Sequence, residues 1–81
     1  MLEVTHAKYE NDYKIWVKFN NDESGIIDLS DDLWGDIFAP LKNTDLFRKF
    51  KVSDVINTIE WENGADLAPE YLYSKIKEVA E

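Results

Sequence analysis

Residues 58–70 read Thr58-Ile59-Glu60-Trp61-Glu62-Asn63-Gly64-Ala65-Asp66-Leu67-Ala68-Pro69-Glu70, and a strand signal, a tight-turn signal and a helix-start signal follow one another within them. Asn63-Gly64 is the strongest short hairpin signal, because both residues accept the positive φ of a two-residue primed turn. Pro69 suits the first turn of a helix, where its missing N–H is not needed. A regular hairpin would set Glu62 against Ala65, Trp61 against Asp66 and Glu60 against Leu67. That register puts a carboxylate beside a buried Trp and sends Leu67 to the charged face, so the return strand is expected to be short or irregular. Asp66 is then expected to turn its carboxylate to the first N–H groups of the helix or to the Trp61 indole N–H, which only donates. Trp61, Asn63, Gly64, Asp66 and Pro69 thus read as a structural motif at the joint between the last strand and the last helix.

Upstream, residues 2–10 suggest a first strand, with Leu2, Val4 and His6 on one side and Thr5, Ala7 and Tyr9 on the other. Asn11-Asp12 is a turn pair. Tyr13, Ile15, Val17 and Phe19 then alternate with polar residues, as a half-buried strand does. Trp16 breaks the polar face, either as a ring covered by a neighbouring element or as an anchor for a partner. A second turn at Asn20-Asn21-Asp22 leads to a third strand ending at Leu29. Ser30 reads as a helix cap before Asp31 and Asp32, in a single turn that Gly35 ends. Pro40 limits any helix through residues 36–41. Residues 43–50 predict a short amphipathic helix with Leu46, Phe47 and Phe50 on one side. Residues 55–61 predict a fourth strand whose Val55, Ile59 and Trp61 share a face, with Asn57 as the exception. From Pro69 to Ala80, Leu72, Ile76 and Val79 recur at offsets of four and three, the spacing of an amphipathic helix. The expected fold is α+β: one domain over residues 1–81, an antiparallel meander of about three strands plus a fourth, two short helices, and a C-terminal helix packed on one sheet face.

The 81 residues are 44% hydrophobic and carry a formal charge of −8, which suits a folded domain and repels phosphate backbones and anionic membranes. Cysteine is absent, so disulfides, thiolate metal sites and cysteine nucleophiles are excluded. No basic leader precedes an apolar run, and no run approaches the roughly 18 apolar residues of a membrane span, so a cytoplasmic protein is the default. Lys42, Arg48, Lys49 and Lys51 gather positive charge locally, either as a solvated helix face or as a docking patch for an acidic partner.

No set of residues assembles a reaction centre. His6 alone cannot make a histidine metal site, and Ser30, Ser53 and Ser74 have no paired base. Glu60 and Glu62 read as solvated carboxylates, and Gly25, Gly35 and Gly64 are too dispersed to cradle a phosphate. Asp28, Asp31, Asp32 and Asp36 fall near one loop and offer oxygen ligands, without the spacing of a calcium loop. No catalytic, cofactor or metal residue is assigned.

The Gly25-Ile26-Ile27-Asp28-Leu29-Ser30 step, the interval from Leu41 to Phe47, and the run from Trp61 to Leu72 together resemble the small bacterial family known as domain of unknown function 2442. The resemblance implies a compact α+β domain with no assigned catalytic residues. It also implies that some members carry a helix-turn-helix domain, for which this chain leaves no room, and that others pair with a second small protein in toxin–antitoxin-like modules. The expectation is therefore a non-enzymatic domain acting through protein contacts, the acidic partner of a basic protein in a toxin–antitoxin-like pair, with Trp16, Arg48 and Lys49 as contact residues. Self-association through sheet edges is a further route. The alternative is a small-ligand or metal-binding domain using the acidic loop Asp28 to Asp36 with Trp34 and Trp61.

Overall fold

The computed structural model describes residues 1–79, with side chains through Lys77. Strands β1 (Val4–Asn11), β2 (Lys14–Phe19) and β3 (Ser24–Asp28) form an antiparallel sheet in the order β1-β2-β3. A second, two-stranded sheet pairs β4 (Lys51–Ser53) with β5 (Thr58–Glu60). Two 3-10 turns, Ser30–Asp32 and Ala39–Lys42, and helix α1 (Thr44–Phe47) lie between the sheets in sequence, and helix α2 (Pro69–Val79) follows. The α+β class expected from the pattern is the one observed.

The period-two face of β2 is buried as expected: Ile15, Val17 and Phe19 are fully covered. They face Tyr9, Ala7 and Val4 on β1, and Ile27 and Gly25 oppose Ile15 and Val17 from β3. The alternation expected for β1 is broken by two register shifts, one between Val4 and His6 and one between Tyr9 and Asn11. The first puts Val4, Ala7 and Tyr9 on the inner side together, while His6 opposes Lys18 outside.

The C-terminal helix packs on this inner face. Leu72 and Ile76 are buried, and the Tyr73 ring meets Phe19 edge-on at 5.2 Å between centroids. A Cβ on Gly25 would stand 3.0 Å from Ile76 Cγ2, so the missing side chain lets α2 approach β3. The expected third apolar contact, Val79, and Ala80 lie outside the described side chains.

Residues 55–61 are not one strand. Ser53 Oγ accepts from the N–H groups of Val55 and Ile56, and Asn57 takes φ 61°, so the chain reverses between β4 and β5. Val55 is consequently 84% exposed rather than facing the core. The second sheet meets the first at β1, where the Val4 N–H donates to the Asn57 carbonyl at 3.0 Å. Strand β3 has β2 as its only strand neighbour among the described residues.

Helix α1 is a single turn capped as its sequence indicates, with Asn43 Oδ1 accepting from the Asp45 N–H at 2.9 Å. Phe47 is buried, but Leu46 is 41% exposed, because so short a helix offers one residue inward. Ser30 does not cap its turn. Asp28 Oδ1 accepts from the Ser30 N–H instead, at 2.9 Å.

The joint between β5 and α2 resolves the register conflict. Gly64 N–H donates to the Trp61 carbonyl, Trp61 N–H donates to the Ala65 carbonyl, and Gly64 sits at φ 92° while Asn63 does not have positive φ. The loop is therefore one residue longer than a primed turn, with Gly64 as the left-handed residue. That extra residue sets Glu60 opposite Asp66, buries Ala65 with Trp61, and turns Leu67 back toward the core.

Candidate functional site

Directly after the first 3-10 turn, the chain plants Leu33 in the core and leaves Trp34 73% exposed. Gly35, at φ 86°, then turns the chain so that Ile37 and Phe38 follow on the same flank. Leu67 from the return segment and Tyr71 from α2 close the other side. The result is a shallow groove of about 470 Å³ lined by Asp32, Trp34, Gly35, Ile37, Phe38, Leu67 and Tyr71. Ile37 and Tyr71 are 44% and 41% exposed, so three large apolar side chains meet solvent at one place.

The rim is fixed by polar contacts. Asn63 Nδ2 donates to the Ile37 carbonyl at 2.8 Å, tying the hairpin loop to the groove wall. At the far end Asp32 takes the Lys75 ammonium at 2.9 Å and also accepts from the Tyr71 hydroxyl. This carboxylate acceptor pushes the Tyr71 hydroxyl up from its ordinary pKa, since the phenol proton holds the pair together. Lys75 Nζ lies 5.5 Å from the Tyr71 ring centroid. Asp31, Asp36 and Glu70 are exposed and adjoin lining residues in the chain.

The other sequence candidates do not converge on it. Trp16 is half-buried on the outer face of the three-stranded sheet, opposite Lys8 and Ile26. Arg48 lies across the Tyr9 ring on the inner side, 5.5 Å from its centroid, and exposed Lys49 borders a smaller hollow of about 180 Å³ beside Leu46 and Trp61. Trp16 thus shares no surface with Arg48 and Lys49.

Trp61 is buried, and its indole N–H donates to the Phe47 carbonyl, not to Asp66. Asp66 is exposed and meets Glu60 through the backbone, while the N–H groups of Tyr71 and Leu72 in the first turn of α2 bond to the Ala68 carbonyl. Both roles expected of the Asp66 side chain are overturned, because the lengthened loop faces it to solvent. Trp61 is likewise withdrawn from the ligand-contacting role considered for it, and Trp34 keeps its exposed ring.

Among the described residues, no three acidic or histidine side chains are grouped to hold a metal ion. Asp28 is held by the Ser30 N–H, which keeps its carboxyl below the ordinary range, and Asp32 is engaged by Lys75 and Tyr71. Ser53 Oγ is spent on its turn and Ser74 Oγ donates to the Tyr71 carbonyl. Ile37, Phe38, Leu67 and Tyr71 were not singled out by pattern. The available signal was the aperiodic apolar run at residues 37–38, which a packed connection would also produce.

A three-stranded sheet backed by one helix, with a second two-stranded sheet beside it and an apolar groove at the surface, defines a small α+β domain. The chain belongs to the family described as protein of unknown function DUF2442, whose model matches residues 4–78. Neither a curated protein nor a solved structure matches it.

Proposed function

We propose that this chain is a non-enzymatic interaction domain of a bacterial cytoplasm, the acidic member of a toxin–antitoxin-like pair. The observation that carries this reading is the exposed Trp34, grouped with Ile37 and Tyr71 around one groove. Trp and Tyr are the side chains most enriched at the energetic centres of protein interfaces, and a contiguous apolar patch with a polar rim is the usual form of such a site. Exposed Asp31, Asp36 and Glu70, each next to a lining residue in the chain, and a net charge of −8 favour a partner segment that combines apolar side chains with Lys or Arg. The absence of a membrane-crossing helix among the described residues is compatible with this setting.

The test is co-expression with the product of the adjacent gene, for the wild-type chain and for Trp34→Ser. A stoichiometric complex that the substitution abolishes is expected. No complex with the wild type, or a complex indifferent to Trp34→Ser, would overturn the pairing.

A second reading is a small apolar ligand in the same groove, whose volume falls within the roughly 300–1,000 Å³ of small-molecule sites. A metabolite panel that raises the melting temperature of the wild type but not of Trp34→Ser would favour it.

A further inference from the structure

The outer face of the three-stranded sheet gathers basic side chains on a chain that is acidic as a whole. Trp16 stands at its centre, opposite Lys8 on β1 and Ile26 on β3, with Lys14 and Lys18 two residues away on the same strand and face. His6 opposes Lys18 and Asp28 opposes Lys14. Three of the nine basic residues therefore surround one aromatic ring on a chain of net charge −8. Helix α2 cannot cover them, since Tyr73 and Ile76 hold it to Phe19 and Gly25 on the inner face. Ile26 is 46% exposed beside the Trp16 ring.

From this juxtaposition we propose that the outer sheet face is a second docking surface, which takes an extended acidic segment of a partner protein. The lysines flank Trp16 along β2 and across to β1, so carboxylates on either side of an apolar residue meet ammonium groups while that residue covers Trp16 and Ile26. Lys14 and Lys18 lie about 13 Å apart along the strand, the reach of four residues of an extended peptide. Charge complementarity selects the occupant. Asp28 accepts from the Ser30 N–H and stands opposite Lys14, whose charge it feels, and among the described residues Lys18 has as its ion-pair partner Asp22, 4.0 Å away and largely exposed. A nucleic acid fits less well, because single-stranded binders combine a basic groove with successive stacking rings and this face offers one. This surface is separate from the Trp34 groove and does not depend on it.

The test is an amide chemical-shift titration with a capped synthetic nonapeptide of Asp and Glu carrying Leu and Val at its centre. Shifts at the Trp16 indole N–H and along β2 are expected, with affinity reduced about tenfold or more in the Lys14→Gln, Lys18→Gln double variant and retained in Trp34→Ser. An unchanged melting temperature of the double variant verifies its fold. Silence at millimolar peptide, shifts confined to the Trp34 groove, or tighter binding of an oligothymidylate strand would each overturn the proposal.

Discussion

Trp61 donates its indole N–H to the carbonyl oxygen of Phe47 at 2.7 Å, inside the core. This bond joins the hairpin loop to α1, and the rings of Phe38, Phe47 and Phe50 surround the indole with centroids 5.8–6.4 Å away. Trp61→Phe would leave the Phe47 carbonyl without this donor. It is expected to lower stability by about 1–3 kcal/mol, measured by urea unfolding, from the lost bond alone.

Gly64 and Asp66 should separate clearly. At Gly64 a Cβ meets open space, so the cost of Gly64→Ala is the left-handed backbone, about 1 kcal/mol or more. Asp66→Ala removes an exposed side chain and is expected to stay within about 0.5 kcal/mol. Equal losses in denaturant midpoint would contradict the loop geometry.

Gly25→Ala would place a methyl 3.0 Å from Ile76 Cγ2 and 3.1 Å from its Cβ, forcing α2 away from β3. Coupling with Ile76→Ala of about 0.5 kcal/mol or more in a double-mutant cycle is expected, since each substitution acts on the same contact. Additive effects would place the helix elsewhere.

Glu23 bonds to Lys77 and to the Tyr73 hydroxyl, and both partners hold its carboxyl below the ordinary 4.5. A depressed folded-state pKa means the contribution is present above the unfolded value and is lost as pH falls through the folded one. Lys77 is raised from 10.5 by Glu23, so its part persists below that value and is lost at more alkaline pH. The melting-temperature gap between wild type and Glu23→Gln should be level near neutrality, narrow as pH falls from 4.5 through the depressed folded value, and shrink in high salt.

Where one residue's environment is set by its strand neighbours, the sequence was readable. Ile15, Val17 and Phe19 declare the buried face of β2, and Leu72 with Ile76 declares that of α2. Local pattern failed where a tertiary or turn bond decides. The β-branched Val55 and Ile56 look like strand, yet Ser53 Oγ and the left-handed Asn57 bend them into a turn. Asp66 looked like a cap until the lengthened loop turned it outward. The groove was legible only in Trp34, because Ile37, Leu67 and Tyr71 reach it from three separate segments.

The contact at the Trp34 groove is tested most directly by titration calorimetry of the adjacent gene's product into the wild type, Trp34→Ala and Val55→Ala. Val55 is the more exposed of the two but lies in the β4–β5 turn, away from the groove lining. Trp34→Ala is expected to weaken binding about 30-fold or more, the effect of losing an interface centre worth about 2 kcal/mol, while Val55→Ala changes it less than about twofold. Equal affinities for wild type and Trp34→Ala would contradict it.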